Sequence, residues 1–266
     1  MGIDYVINYG CVPKEMLTTA GLLERIKAGE QAQALISFYR NNNDLRPIED
    51  MGGEILRRAA DGEHETRTVM VADLLKMQQE LQPLEHYCEG CPANAMKRPF
   101  GCIGHINYPI SQQAEEWMLA QLPHPDYDPL PFLLLTKAEE FGCTGETGRR
   151  LRDQVGVIFE SGDTLARRYP EMDISADQLF EMFYLIESNI PVKRAVMILM
   201  FMGAIERNME ANELMALTPA PPDLAERLPF LLHIEESDDR STADLKRFLY
   251  ALYRGLLLDR DILLDV

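Results

Sequence analysis

Four residues within eighteen positions constrain this chain more than anything else in it: Cys88-Glu-Gly-Cys91 and, ten residues on, Cys102-Ile-Gly-His105. Two short pairs separated by a loop are how a chain wraps a tetrahedral ion, because each pair supplies two ligands from one tight turn and the loop closes the other half. Gly90 and Gly104 lie inside the two pairs, where the backbone must turn sharply. Lys97 and Arg98 in the loop would offset the charge of three thiolates. The spacing therefore predicts a metal site on Cys88, Cys91, Cys102 and His105, a structural zinc of the Cys3His type with no coordination position left open for chemistry. An alternative is an iron–sulfur cluster on Cys11, Cys88, Cys91 and Cys102, since such clusters prefer four thiolates, although the dense Cys-x2-Cys-x2-Cys run of many ferredoxins is missing. A third reading makes them ordinary thiols, with Cys88 and Cys91 as a redox pair. His86, two residues before Cys88, is a substitute for His105 or simply a surface imidazole.

Charge narrows the partners. Asp and Glu number 43 against 26 Lys and Arg, a net charge of −17 that repels DNA, RNA and anionic lipid. The expected partners are thus a metal ion and another protein, with no nucleic acid and no membrane. The N-terminus has no basic stretch leading an apolar one, and the longest apolar run, 195–205, is about half of what a membrane span needs. A cytoplasmic location is expected, and there an odd count of five cysteines suits metal or redox chemistry better than disulfides.

Periodicity predicts a mainly α, multi-helix globular protein with the Cys/His metal-binding loop and at most a short N-terminal strand. Ile3, Tyr5, Ile7 and Tyr9 alternate with Asp4, Val6 and Asn8, the period of a strand. Pro13 suits the first turn of a helix that Gly29 can end, followed by a second helix with Ala32, Leu35, Ile36, Phe38 and Tyr39 that leaves through three asparagines. Ile55, Leu56 and Ala59 read as a further helical piece, and the apolar positions between Val69 and Leu84 as another. Ser111 is a candidate N-cap. Ser175-x-x-Gln178 and Ser241-x-x-Asp244 have the form of capping boxes, and Pro191 opens a helix that is apolar almost all round from Met197 to Met202.

These elements suggest a lobe over 1–122 carrying the loop 86–105, a proline-rich connection at 123–131, and a second helical lobe over 132–266. Gly142 to Arg150 is glycine-rich and basic, and backbone N–H groups there can hold a phosphate or carboxylate, yet a P-loop's Lys-Ser/Thr ending is absent and an inter-helix loop is the simpler reading. The acidic run Glu235, Glu236, Asp238 and Asp239 reads as a solvated turn, and Met197, Met200 and Met202 as core. No motif for a zinc protease or a serine hydrolase is present. The leading expectation is a zinc-stabilised helical protein acting as a binding or regulatory module. The alternatives are an iron–sulfur protein in redox or sensing, and an enzyme with a site between the two lobes.

Overall fold

The computed structural model describes residues 2–58, 64–170, 172–185 and 188–264. Along the chain, β1 (Gly2–Ile7) leads to α1 (Val12–Asn41), the hairpin strands β2 (Gly52–Arg58) and β3 (His64–Met70), and α2 (Val71–Gln79). After a 3-10 segment at Gln82–Cys88 come β4 (Ile103–Asn107), α3 (Gln112–Gln121), α4 (Pro129–Leu135) and α5 (Glu146–Arg152). The short strands β5 (Ala166–Arg168) and β6 (Asp173–Ser175) precede α6 (Ala176–Phe180) and β7 (Asn189–Ile190). Then follow α7 (Val192–Phe201), α8 (Ala211–Met215), α9 (Leu224–Arg227), α10 (Arg240–Leu258) and β8 (Ile262–Leu264). Two compact units result, one of residues 10–91 and one of residues 1–9 with 92–266.

In the smaller unit, α1 and α2 pack through Ala28, Ala32, Val71 and Leu74, with Met51 beneath them. Gly29 does not end a helix. It stays inside α1 because a Cβ there would come within 2.6 Å of the Gln78 side chain on α2. The break in α1 falls instead at Thr18, whose φ of 63° is left-handed and whose Oγ1 accepts a hydrogen bond from the Gly21 N–H at 3.1 Å. The stretch expected as helix around Ile55 and Leu56 is strand β2, paired antiparallel with β3 from Gly52↔Met70 to Arg58↔His64; Ala59 lies outside the described residues. Two adjacent glycines and a partner rich in Thr and Val suit a hairpin better than a helix.

The larger unit corrects the expected fold class. Helices are still the larger share, but β1 is no isolated strand. It is central in a four-stranded antiparallel sheet of order β4-β1-β8-β7. Its residues are buried from Ile3 to Ile7, so both faces and both edges need cover, and the sheet supplies it. Its partners β4, β7 and β8 are only 5, 2 and 3 residues long, too short to show a period in the sequence. The Cys/His metal-holding loop is also overturned: among the described residues no group of three or more His, Cys, Asp or Glu side chains could hold a metal ion.

Against this sheet lies α10, with α7 packed on α10; their buried residues include Val196, Leu199, Phe248 and Leu252. The proline-rich stretch 123–131 lies in this same unit, where Pro129 opens α4. Ser111 caps α3, and Ser175 with Gln178 forms a complete capping box on α6. Arginines cover helix C-termini. Arg207 donates to the carbonyls of Met200 and Phe201 at 2.7 Å each, and Arg167 to that of Leu122 at 2.6 Å. A buried ionic group joins α3, α5 and α6. Arg152 donates to both Glu115 oxygens, at 3.1 and 2.5 Å, and to Asp177 at 2.6 Å, while its guanidinium lies 4.1 Å from the centre of the Phe159 ring. Among the described residues, no helix is long and apolar enough to cross a membrane.

Candidate functional site

Each residue expected to hold metal has a definite place. Cys88 ends the 3-10 segment, and its carbonyl accepts from the Cys91 N–H at 3.3 Å around Gly90, whose φ is 69°. This first pair does form a tight turn. Cys11 precedes α1 without capping it by a side-chain bond. His86 packs against Tyr87 with ring centres 3.9 Å apart and planes tilted by 37°. Cys102 is buried, with its carbonyl accepting from the Ile7 N–H at 3.0 Å. His105 lies in β4, directly opposite Asp4 of β1. From Ile103 on the backbone is extended, so it carries His105 away from Cys102 rather than folding it back to a shared ion. Gly104 is there because a Cβ would collide with the Tyr5 phenol and the Met96 methyl, not because the chain turns. No disulfide joins any of the five cysteines.

His105 instead belongs to the wall of a cavity of 670 Å³ within the larger unit. That volume is in the range of small-molecule sites, about 300–1,000 Å³. Four stretches of chain build it: residues 95–98, β4, the irregular segment 230–234 and the first turns of α10. Its lining includes the nitrogen-bearing side chains of Arg98, His105, His233, Lys246 and Arg247. It also includes the largely apolar side chains of Met96, Phe230, Leu232, Ile234 and Tyr250. The carboxylate on the wall is Asp244.

Two of the cations are held in place by carboxylates. The Lys246 ammonium sits 2.8 and 2.7 Å from the two oxygens of Asp238, and both side chains are about as buried as the core, at 6% and 7% exposure. Arg247 donates to Asp244 Oδ1 at 2.8 Å. The other Asp244 oxygen accepts from the Asn107 side chain at 2.6 Å and from its backbone N–H at 3.3 Å. Arg98 is exposed at the rim. The segment carrying the apolar wall is pinned by the Leu231 N–H on the Ala204 carbonyl at 2.9 Å and by Phe230 against the Tyr250 and Tyr253 rings. Cations fixed by buried carboxylates lose little further freedom when they meet an anion.

Three of the residues doing this went unnoticed in the sequence. Asp238 belongs to an acidic run that reads in the sequence as a solvated turn. Asp244 was assigned to a capping box, but the cap of α10 is Asp239, which accepts from Thr242 N–H at 2.8 Å, and Asp244 is left for Asn107 and Arg247. Lys246 carried a legible signal. It stands three, four and seven positions before Leu249, Tyr250 and Tyr253, a lysine on the stripe that packs inward. The glycine-rich stretch before α5 does bind an anion, but one of the protein's own: the Glu181 carboxylate accepts from the N–H groups of Gly145 and Thr147 at 2.6 Å each.

Comparison with protein-family models, with curated proteins and with solved structures gives no significant match.

Proposed function

We propose that this protein is a small-molecule-binding module, with a carrier or regulatory role in the cytoplasm, whose cavity takes a compact organic anion with an apolar body. The observation that carries this reading is the presence of Arg98, Lys246 and Arg247 together in the lining of one cavity of a chain whose net charge is −17. Even with Asp238, the partner of Lys246, counted in, three cations meet two carboxylates there. The apolar part of the wall asks for a ring or branched chain on the ligand. Asp244 is engaged by Asn107 and Arg247, which favours holding a ligand over moving its protons. Zinc and iron–sulfur chemistry at the cysteines forms no part of this reading, since among the described residues no group of three or more His, Cys, Asp or Glu side chains could hold a metal ion.

Titration calorimetry with phenyl phosphate and with benzoate tests it. One equivalent should bind, less tightly as salt rises, and Arg247→Ala should weaken binding about tenfold or more, the effect of losing a charge-assisted hydrogen bond. Absence of heat at millimolar probe, or unchanged binding in the variant, overturns the reading.

A further inference from the structure

Tyr5 is an odd residue to find in the centre of a sheet. It is 1% exposed, its ring packs edge-on against Phe248 at 5.2 Å, and its hydroxyl has no hydrogen-bond partner among the described residues. A phenylalanine would fill the same space without burying a bare polar atom, and such an atom costs about 1–3 kcal/mol. Orphaned polar groups of this kind call for an explanation, and the surroundings of this one supply it. The phenol and the Met96 methyl close over Gly104 from two sides, and Met96 is part of the cavity wall. The charged groups that act on the hydroxyl, Asp244, Arg247 and Arg98, are all cavity residues. The hydroxyl thus lies close to a methionine of the cavity lining, and methionine is the most easily displaced of the apolar side chains.

We propose that the Tyr5 hydroxyl is the cavity's specificity-determining donor, reached when Met96 swings aside, and that it hydrogen-bonds an oxyanion of the ligand, a carboxylate or phosphoryl oxygen. The inference rests on the anion-binding reading above. Burial, and after it the charge of Asp244, hold the phenol's pKa well above its ordinary value, so at neutral pH the group is a donor and needs an acceptor. An ammonium end on the ligand would meet a lining with more cations than carboxylates.

The test is Tyr5→Phe, read in two ways. The unliganded variant should unfold at the same or higher urea concentration than the wild type, because it loses only an unsatisfied group. Its affinity for phenyl phosphate or benzoate should fall about tenfold or more, and the probe that loses more identifies the oxyanion the site prefers. Opposite signs for stability and affinity are what a merely structural tyrosine would not produce. Met96→Ala should tighten binding of the same probe, and the gain should vanish when Tyr5→Phe is added. Equal affinity in wild type and Tyr5→Phe overturns the role of the hydroxyl alone, as does loss of folding in Tyr5→Phe, which would make the group structural. If neither probe binds the wild type, the anion-binding reading falls and this inference with it.

Discussion

Gly104 sits where β4 passes directly under the Tyr5 ring, and its missing side chain is what lets the two strands and Met96 fit together. Gly104→Ala should therefore cost about 1–3 kcal/mol, the range for forcing an extra methyl into a packed site, measured as a lowered midpoint of urea unfolding. A variant as stable as the wild type would show that the ring can step aside. The same glycine explains how the metal reading arose. A glycine between two potential ligands is needed where a chain turns around an ion, and equally where a strand runs beneath an aromatic ring. Residue type and spacing are identical in the two cases, so only the pairing of Tyr5 with Gly104 decides between them. Cys88 and Cys91 do share a tight turn, whereas Cys102 and His105 are separated by the start of a strand. Asp244 acts at this scale too. Because it holds Arg247 in place, Asp244→Asn should weaken phenyl phosphate binding if the fixed guanidinium matters more than the charge removed. Tighter binding would mean that the carboxylate chiefly repels the ligand.

α10 carries much of the site, and its position depends on how it begins. Its apolar stripe was legible from the sequence, as were the caps of α3 and α6, because each of these signals is local. The start of α10 was misplaced by two residues because Asp239 and Ser241 are both good caps, and only tertiary contacts choose between them: Ser241 accepts from the Ser111 N–H at 3.2 Å. Burial works against ionisation of Asp239, but hydrogen bonds from Ser111 and Thr242 outweigh it and lower its pKa below the ordinary aspartate value. A carboxyl with a depressed folded pKa stabilises the folded state above its unfolded pKa, and that contribution is lost as pH falls through the folded one. Asp239→Asn keeps a good cap and loses the charge, so at pH 7 it should cost only about 0.3–1 kcal/mol, the worth of a carboxylate at a helix N-terminus. The gap should close as the pH is taken below 4. Urea unfolding of both proteins across that range checks it, and a gap that stays constant with pH would mean that the charge contributes nothing.

Across the larger unit, helices distant in sequence are tied by charge rather than by apolar contact alone. Nothing in the sequence singles out Glu115, Arg152 and Asp177 among 43 acidic and 26 basic residues, since partners in a buried ionic group have no fixed spacing. In place, Arg152 is 2% exposed and Glu115 and Asp177 are fully enclosed. Replacing the guanidinium by an apolar side chain leaves two carboxylates without a cation in the interior. Arg152→Leu should therefore lower stability by about 3–5 kcal/mol, the cost of breaking a buried pair from one side. The loss should depend on pH in a definite direction. Burial already raises the Glu115 pKa, with the hydrogen bond and charge of Arg152 acting to lower it. A carboxyl whose folded pKa is raised binds more protons folded than unfolded, so its contribution to stability declines as pH rises from the ordinary glutamate value through the folded one. Removing Arg152 removes the opposing influence, pushes the folded pKa further up and widens that window. The variant should accordingly recover part of its deficit between pH 8 and pH 5, as protons take over from the missing cation. A deficit equal at both values would mean that solvent reaches the two carboxylates once the arginine is gone, and that the group is held by packing around Phe159 rather than by its charges.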